Sequence, residues 1–199
     1  MEHPYIEIGG IKWATMNVGA KNVTDSGLYF QWGDTQGYMR EQLGDPDNNL
    51  KYFDWAHYKW TRQNLLLKYN RIDYKAVLDL EDDAVHAAWG GNWRMPTAEE
   101  FAKLSGAVNT EWVDFEASEA SGLLCISKTD ASKRLFFPAC GYLGQNQVFS
   151  ERHCHYWTNS SNEYNHLSSY SMTYNGGLIT LEECYYRYCG FLLRGVLDE

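Results

Sequence analysis

The sequence predicts an α+β domain, and three observations carry that prediction. Alternating apolar and polar residues mark strands toward both ends of the chain, and two helical segments with recognisable ends lie between them. The third is composition: 44 % of the 199 residues are apolar, yet no unbroken run approaches the ~18 apolar residues that span a bilayer. No linker rich in Pro, Gly or Ser divides the chain and no internal repeat is visible, so residues 1–199 read as one domain.

Taken in order, YIEIGGIKWATMNV (5–18) alternates around Gly9-Gly10 and predicts a β-hairpin. LEDDAVHAAW (80–89) opens with acidic residues that complement a helix dipole and is followed by Gly90-Gly91, where a helix stops. These ends also account for the paired carboxylates Asp82 and Asp83 without acid–base chemistry. Thr97 and Glu100 have the spacing of a capping box, predicting a second helix to about Ser105 with Phe101 and Leu104 on its buried face. Strand signals return at 122–127, 134–142 and 191–196.

Residues 29–75 intersperse Tyr, Trp, Phe, Asp, Asn and Lys with no sustained period, which predicts an irregular, aromatic-packed excursion held by its own side chains. Eight Trp, fifteen Tyr and eight Phe supply unusual core-forming capacity, since each ring buries about 150–250 Å².

Seventeen Lys and Arg against twenty-six Asp and Glu give a net charge of −9. That balance argues against sequence-independent nucleic-acid binding, which relies on neutralising phosphates. No basic and apolar leader precedes Tyr5, so the chain reads as intracellular or as a trimmed domain, with its localisation open. The five cysteines are odd in number and lack zinc spacing, as expected of unpaired thiols.

Chemistry of another kind concentrates in HCHYWTNSSNEYNHLSSYSMTYN (153–175). Four Asn, four Tyr, five Ser and three His make up most of these 23 residues, and no Lys follows Lys133. Tyr provides rigid contact area and Ser and Asn adaptable hydrogen bonds, the composition of antibody-like binding loops. Random replacement of adenines in Asn codons reaches Ser, Tyr, His, Asp and Arg but never Lys, and the stretch has that bias. A second burst, CYYRYC (184–189), repeats the Tyr-rich chemistry with an Arg.

Catalytic motifs are not legible. Ser and His are plentiful, but no GxSxG elbow organises them. WGGNWR (89–94) lacks the glycine spacing of a phosphate loop, and its Trp residues read as core. His153 and His155 share one side of an extended segment, which reads as a surface strand before it reads as a metal site.

The chain resembles the Fibrobacter succinogenes major paralogous domain, a C-type lectin-like group. The resemblance is carried in order by GIKWATMNVGA (10–20), GLYFQWGD (27–34), KYN (68–70), LEDDA (80–84), WGGNWRMPT (89–97) with Glu100, FPACGY (137–142), YWT (156–158) and GFLLR (190–194). It implies a C-type lectin-like fold with two helices, a small twisted antiparallel sheet and long loops. Within that group the chain is similar to variable proteins of diversity-generating retroelements, whose C-terminal segment, here about 153–194, is rewritten at adenines. That likeness implies a non-enzymatic binding face for a protein or glycan ligand on a cell or phage surface. It would be formed by Tyr156, Asn159, Asn162, Tyr164, Asn165, His166, Tyr170, Tyr185, Tyr186, Arg187 and Tyr188.

Sugar-binding C-type lectins hold calcium with a Glu-Pro-Asn loop and a Trp-Asn-Asp strand. The chain has Trp157-Thr158-Asn159 instead, so no metal and no cofactor is expected. Formylglycine-type chemistry would require a low-pKa thiol at Cys184 or Cys189. An undiversified carbohydrate- or protein-binding module of a bacterial envelope protein is the alternative function.

Overall fold

The structure, a computed structural model, describes residues 3–43, 52–63, 65–116, 120–144, 147–149, 153–175 and 178–199. The elements run β1 (Tyr5–Ile8), β2 (Ile11–Asn17), β3 (Tyr29–Phe30), β4 (Gly37–Tyr38), β5 (Thr61–Arg62), β6 (Leu65–Leu66), α1 (Ala84–Trp89), β7 (Trp93–Arg94) and α2 (Ala98–Ala107). There follow β8 (Val108–Phe115), β9 (Ala120–Ser127), β10 (Arg134–Pro138), β11 (Tyr142–Gly144), β12 (Gln147–Phe149), β13 (Cys154–Ser161), β14 (Ser168–Asn175), β15 (Leu178–Tyr186) and β16 (Arg194–Leu197).

The α+β, C-type lectin-like expectation is corrected. Of the described residues 43 % are strand and 13 % helix, and the strands are dispersed over six small antiparallel sheets. The physical reason lies in two segments whose polarity concealed strands. Within 29–75 the excursion folds into two miniature hairpins, β3–β4 and β5–β6. The Tyr/Asn/Ser/His segment is largely a three-stranded meander, β13–β14–β15. Ser161, Ser168, Ser169, Ser171, Thr158 and Thr173 are buried there; their small side chains let neighbouring layers approach closely.

Other expectations hold locally. Gly9 and Gly10 take φ of +63° and +74° at the tip of the β1–β2 hairpin, the left-handed pair that a two-residue turn between right-twisted strands needs. Thr97 caps α2 through the Glu100 amide while the Glu100 carboxylate accepts from the Thr97 amide. Phe101 and Leu104 are both buried. At α1 the cap is Asp83 alone, accepting from the amides of Val85 and His86 and, through its other oxygen, from Met95.

Two aromatic cores hold these layers. One gathers Trp13, Phe101, Phe137 and Tyr156 around α2. The second gathers Trp32, Tyr58, Tyr69, Trp157 and Phe191, with Trp157 and Phe191 stacked at 4.1 Å. Full burial of each such side chain contributes roughly 2–3 kcal/mol.

Two arginines are wholly buried within this scaffold, Arg194 and Arg187. Arg194 joins the terminal strands to β10: its Nε donates to Asn17 Oδ1, Nη1 to Ala14 O and Nη2 to Phe136 O, all at 2.8–2.9 Å. Its guanidinium lies 4.8 Å from the Phe137 ring centre.

Candidate ligand-binding face

Three turns converge at the end of the meander. In the turn between β13 and β14, Asn162 Oδ1 accepts from the amides of Tyr164 and Asn165, and Asn165 Oδ1 accepts from Leu167. These are Asx turns, built by side chains that bond their own backbone. The turn after β15 docks on this one, the Arg187 amide donating to Leu167 O at 3.1 Å. A third, residues 69–77, is stitched alongside by the Ser161 amide on Ala76 O and Ser161 Oγ on Lys75 O.

Arg187 organises all three from within. Its Nε donates to Ser168 O and Ser169 Oγ, its Nη1 to Tyr69 O at 2.7 Å, and the guanidinium lies 4.4 Å from the Trp32 ring centre. Tyr69 presents that carbonyl from a left-handed backbone, φ +58°. The Asp73 carboxylate stabilises the conformation by accepting from the Tyr69 and Asn70 amides. Burial lowers the Arg187 pKa from its ordinary value against the opposing pull of the Tyr58 hydroxyl, and among the described residues Nη2 has no well-formed hydrogen bond.

The eleven candidate contacts divide by burial. Five are interior, bonded or packed within the scaffold. The Tyr156 hydroxyl donates to Pro138 O and accepts from Asn17 Nδ2. Asn159 pairs through its backbone with Pro96 and Leu78. Asn162 builds the turn described above, Arg187 pins the three turns, and Tyr188 is covered by Trp55 and Tyr186. His166, Tyr170 and Tyr185 are half-buried, and Tyr185 packs edge-on against Tyr142, His155 and Phe191. Tyr164 is 79 % exposed and Tyr186 42 %, and Asn165 is exposed with them.

The 69–77 turn adds residues that the sequence reading passed over. Ile72 and Tyr74 are more than 80 % exposed, and Val77 and Leu167 nearly half. RIDYKAV (71–77) alternates charged and apolar residues with the period of a half-buried strand, yet it forms a turn that leaves Ile72 and Tyr74 in solvent, so the pattern alone did not mark them as surface. These apolar side chains sit on turns that the Ser161 and Arg187 hydrogen bonds hold side by side.

His155 is corrected from surface residue to core. It is enclosed by Tyr142, Tyr185 and Phe191, among the described residues neither ring nitrogen has a partner, and burial first, then His153, pulls its pKa down to about 3. It is therefore a neutral ring in the packing at physiological pH. The thiols of Cys125 and Cys189 are pushed up to about 12 by burial, opposite to the depression that thiolate chemistry requires. The Cys184 side chain lies outside the described ones.

Asp79, Glu81 and Asp82 bring three carboxylates within reach of a common point, but Lys68 Nζ occupies it, at 2.7 Å from Asp79 and 3.3 Å from Glu81 and also bonded to Asp82. Despite burial, these hydrogen bonds hold the ammonium pKa well above its ordinary value. With Lys59 on Asp82 and Lys75 on Asp79 as well, three lysines balance the three carboxylates.

Among the described residues no helix is long and apolar enough to cross a membrane. Comparison with family models, curated proteins and solved structures finds no match for the chain.

Proposed function

We propose that the chain is a non-enzymatic binding protein that presents the three-turn end of the meander to a macromolecular ligand, and that it is the variable protein of a diversity-generating retroelement. One observation carries the reading: the segment with the Tyr/Asn/Ser/His bias folds so that its two turns converge, over a pinned backbone, with Tyr164, Asn165 and Tyr186 facing solvent. Supporting the turns from inside by Arg187 separates the backbone, which must stay fixed, from the outward side chains, which are free to change. A preorganised face of exposed aromatics binds without first ordering its loops.

The encoding locus tests this directly. A nearby reverse transcriptase and a near-copy of the segment differing only at adenines are expected, with differences at codons 164, 165 and 186 and none at 187. Tyr164→Ala and Tyr186→Ala should weaken ligand binding at least tenfold; Tyr164→Ala should move stability by less than about 0.5 kcal/mol, and Tyr186→Ala, which uncovers Tyr188, by about 1 kcal/mol. The burial of Tyr156, Asn159, Asn162, Arg187 and Tyr188 favours a second reading, an undiversified binding module, because rewriting those codons would disturb the core. A locus without a near-copy selects it.

A further inference from the structure

We propose that the arch of residues 52–60, which lies outside the Tyr/Asn/Ser/His segment, is the invariant half of this ligand face, and that it receives Lys or Arg side chains from a basic protein partner. The inference rests on the binding-face reading above.

The arch is locked to the turn after β15. The Gln31 side-chain amide donates to the backbone carbonyls of both Tyr52 and Tyr188. Phe53 packs so closely on Gly190 that a Cβ there would stand 2.4 Å from its ring. Trp55 meets Tyr186 edge-to-face at 5.8 Å and Tyr188 at 4.9 Å. A ligand resting on exposed Tyr186 therefore reaches Trp55 within one ring's distance.

The chemistry of the arch favours a cation. Aromatic faces attract ammonium and guanidinium groups, most strongly at Trp. Tyr38 and Tyr52 stack at 4.7 Å with His57 edge-on to Tyr52. Carboxylates adjoin them: Asp54 accepts from His57, and burial raises the Asp34 pKa, so a neighbouring positive charge would stabilise its ionised form. The arch's one lysine, Lys59, bonds Asp82 and covers the Trp60 ring; its charge opposes the rise of the Asp34 pKa without cancelling it, and among the described residues it makes no cation–π contact with Trp55 or Tyr52. With a net charge of −9, the long-range field also steers basic partners toward the chain.

The test titrates the whole chain with a fluorescent twelve-residue peptide of alternating Arg and Ser, with its Glu-for-Arg counterpart as control. The Arg peptide is expected to bind and the Glu peptide not. Trp55→Leu should weaken binding about fivefold and Trp55→Phe less, with unchanged far-UV circular dichroism, and Asp54→Asn should weaken it about twofold. Binding unaffected by Trp55→Leu but lost in Tyr164→Ala overturns the arch proposal and leaves the three-turn face standing. Equal binding of both peptides, or binding of the Arg peptide insensitive to all of these variants, overturns the cation assignment. Should Trp55→Leu unfold the chain, Trp55→Phe with Asp54→Asn carries the same test.

Discussion

The two buried arginines occupy opposite situations. Arg194 ties the terminal strands to β10 with all three of its donor nitrogens used, among backbone carbonyls and Asn17. Arg187 ties three turns together with Nε and Nη1, and among the described residues its Nη2 makes no well-formed hydrogen bond, although the Tyr58 hydroxyl favours its charge. Neither makes an ion pair with a described carboxylate; both rest on an aromatic ring and on carbonyl oxygens. The same device thus serves a finished junction in one region and an unfinished one in the other. Where it is unfinished, exposed tyrosines surround it, which is where a protein would place a surface meant for something else.

Substitution sharpens this contrast. Arg194→Met should cost about 4 kcal/mol, since it leaves three buried acceptors without their donor at roughly 1–3 kcal/mol each. Arg187→Met should cost about 2 kcal/mol: Ser168 O also accepts from the Asn162 amide, and the change removes a donor without a well-formed bond. Urea denaturation of the two variants checks the order; equal losses would break the comparison.

Acid provides a third perturbation, felt on the meander beside Arg187. His155 has a folded-state pKa of about 3 against 6.5 unfolded. As pH falls below about 6.5 the unfolded chain takes up a proton that the folded chain refuses. Stability is therefore full above that pH and is lost on acidification toward pH 3, at up to about 1.4 kcal/mol per pH unit. His155→Phe should remove this slope, read from melting temperatures between pH 6 and pH 4. The smallest effect is expected at Tyr74, whose φ of +51° is left-handed and whose side chain is 83 % exposed. Tyr74→Gly should leave stability within about 0.5 kcal/mol, because relieved backbone strain offsets glycine's greater freedom when unfolded.

What could be read in advance depended on how local its cause was. The Gly9-Gly10 hairpin, the Thr97/Glu100 capping box and the buried pair Phe101 and Leu104 follow from contacts a few residues apart. The meander did not announce itself because many of its buried positions are Ser and Thr, whose burial depends on which layer the chain later places against them. At 168–174 interior residues outnumber exposed ones with no alternation of period two. For the same reason Arg187 and Tyr156 resembled contact residues in composition and are buried in space, while Trp55 and exposed Ile72, outside the biased segment, lie on segments packed against its turns. The aromatic and polar types suited to binding were legible; which of them faces solvent was decided by pairings such as Tyr69 with Arg187, 118 residues apart.

The bridge made by Gln31 carries a consequence for how the molecule opens. Its amide reaches both Tyr52 and Tyr188, while the neighbouring Phe30 and Trp32 amides donate to Phe191 and Arg187. Arch and turn are thus both fastened to the strand segment 30–32, so loosening that segment releases them together. In hydrogen exchange, the amides of Phe30, Trp32, Arg187 and Phe191 should therefore lose protection together, as one cooperative unit, rather than fraying loop by loop.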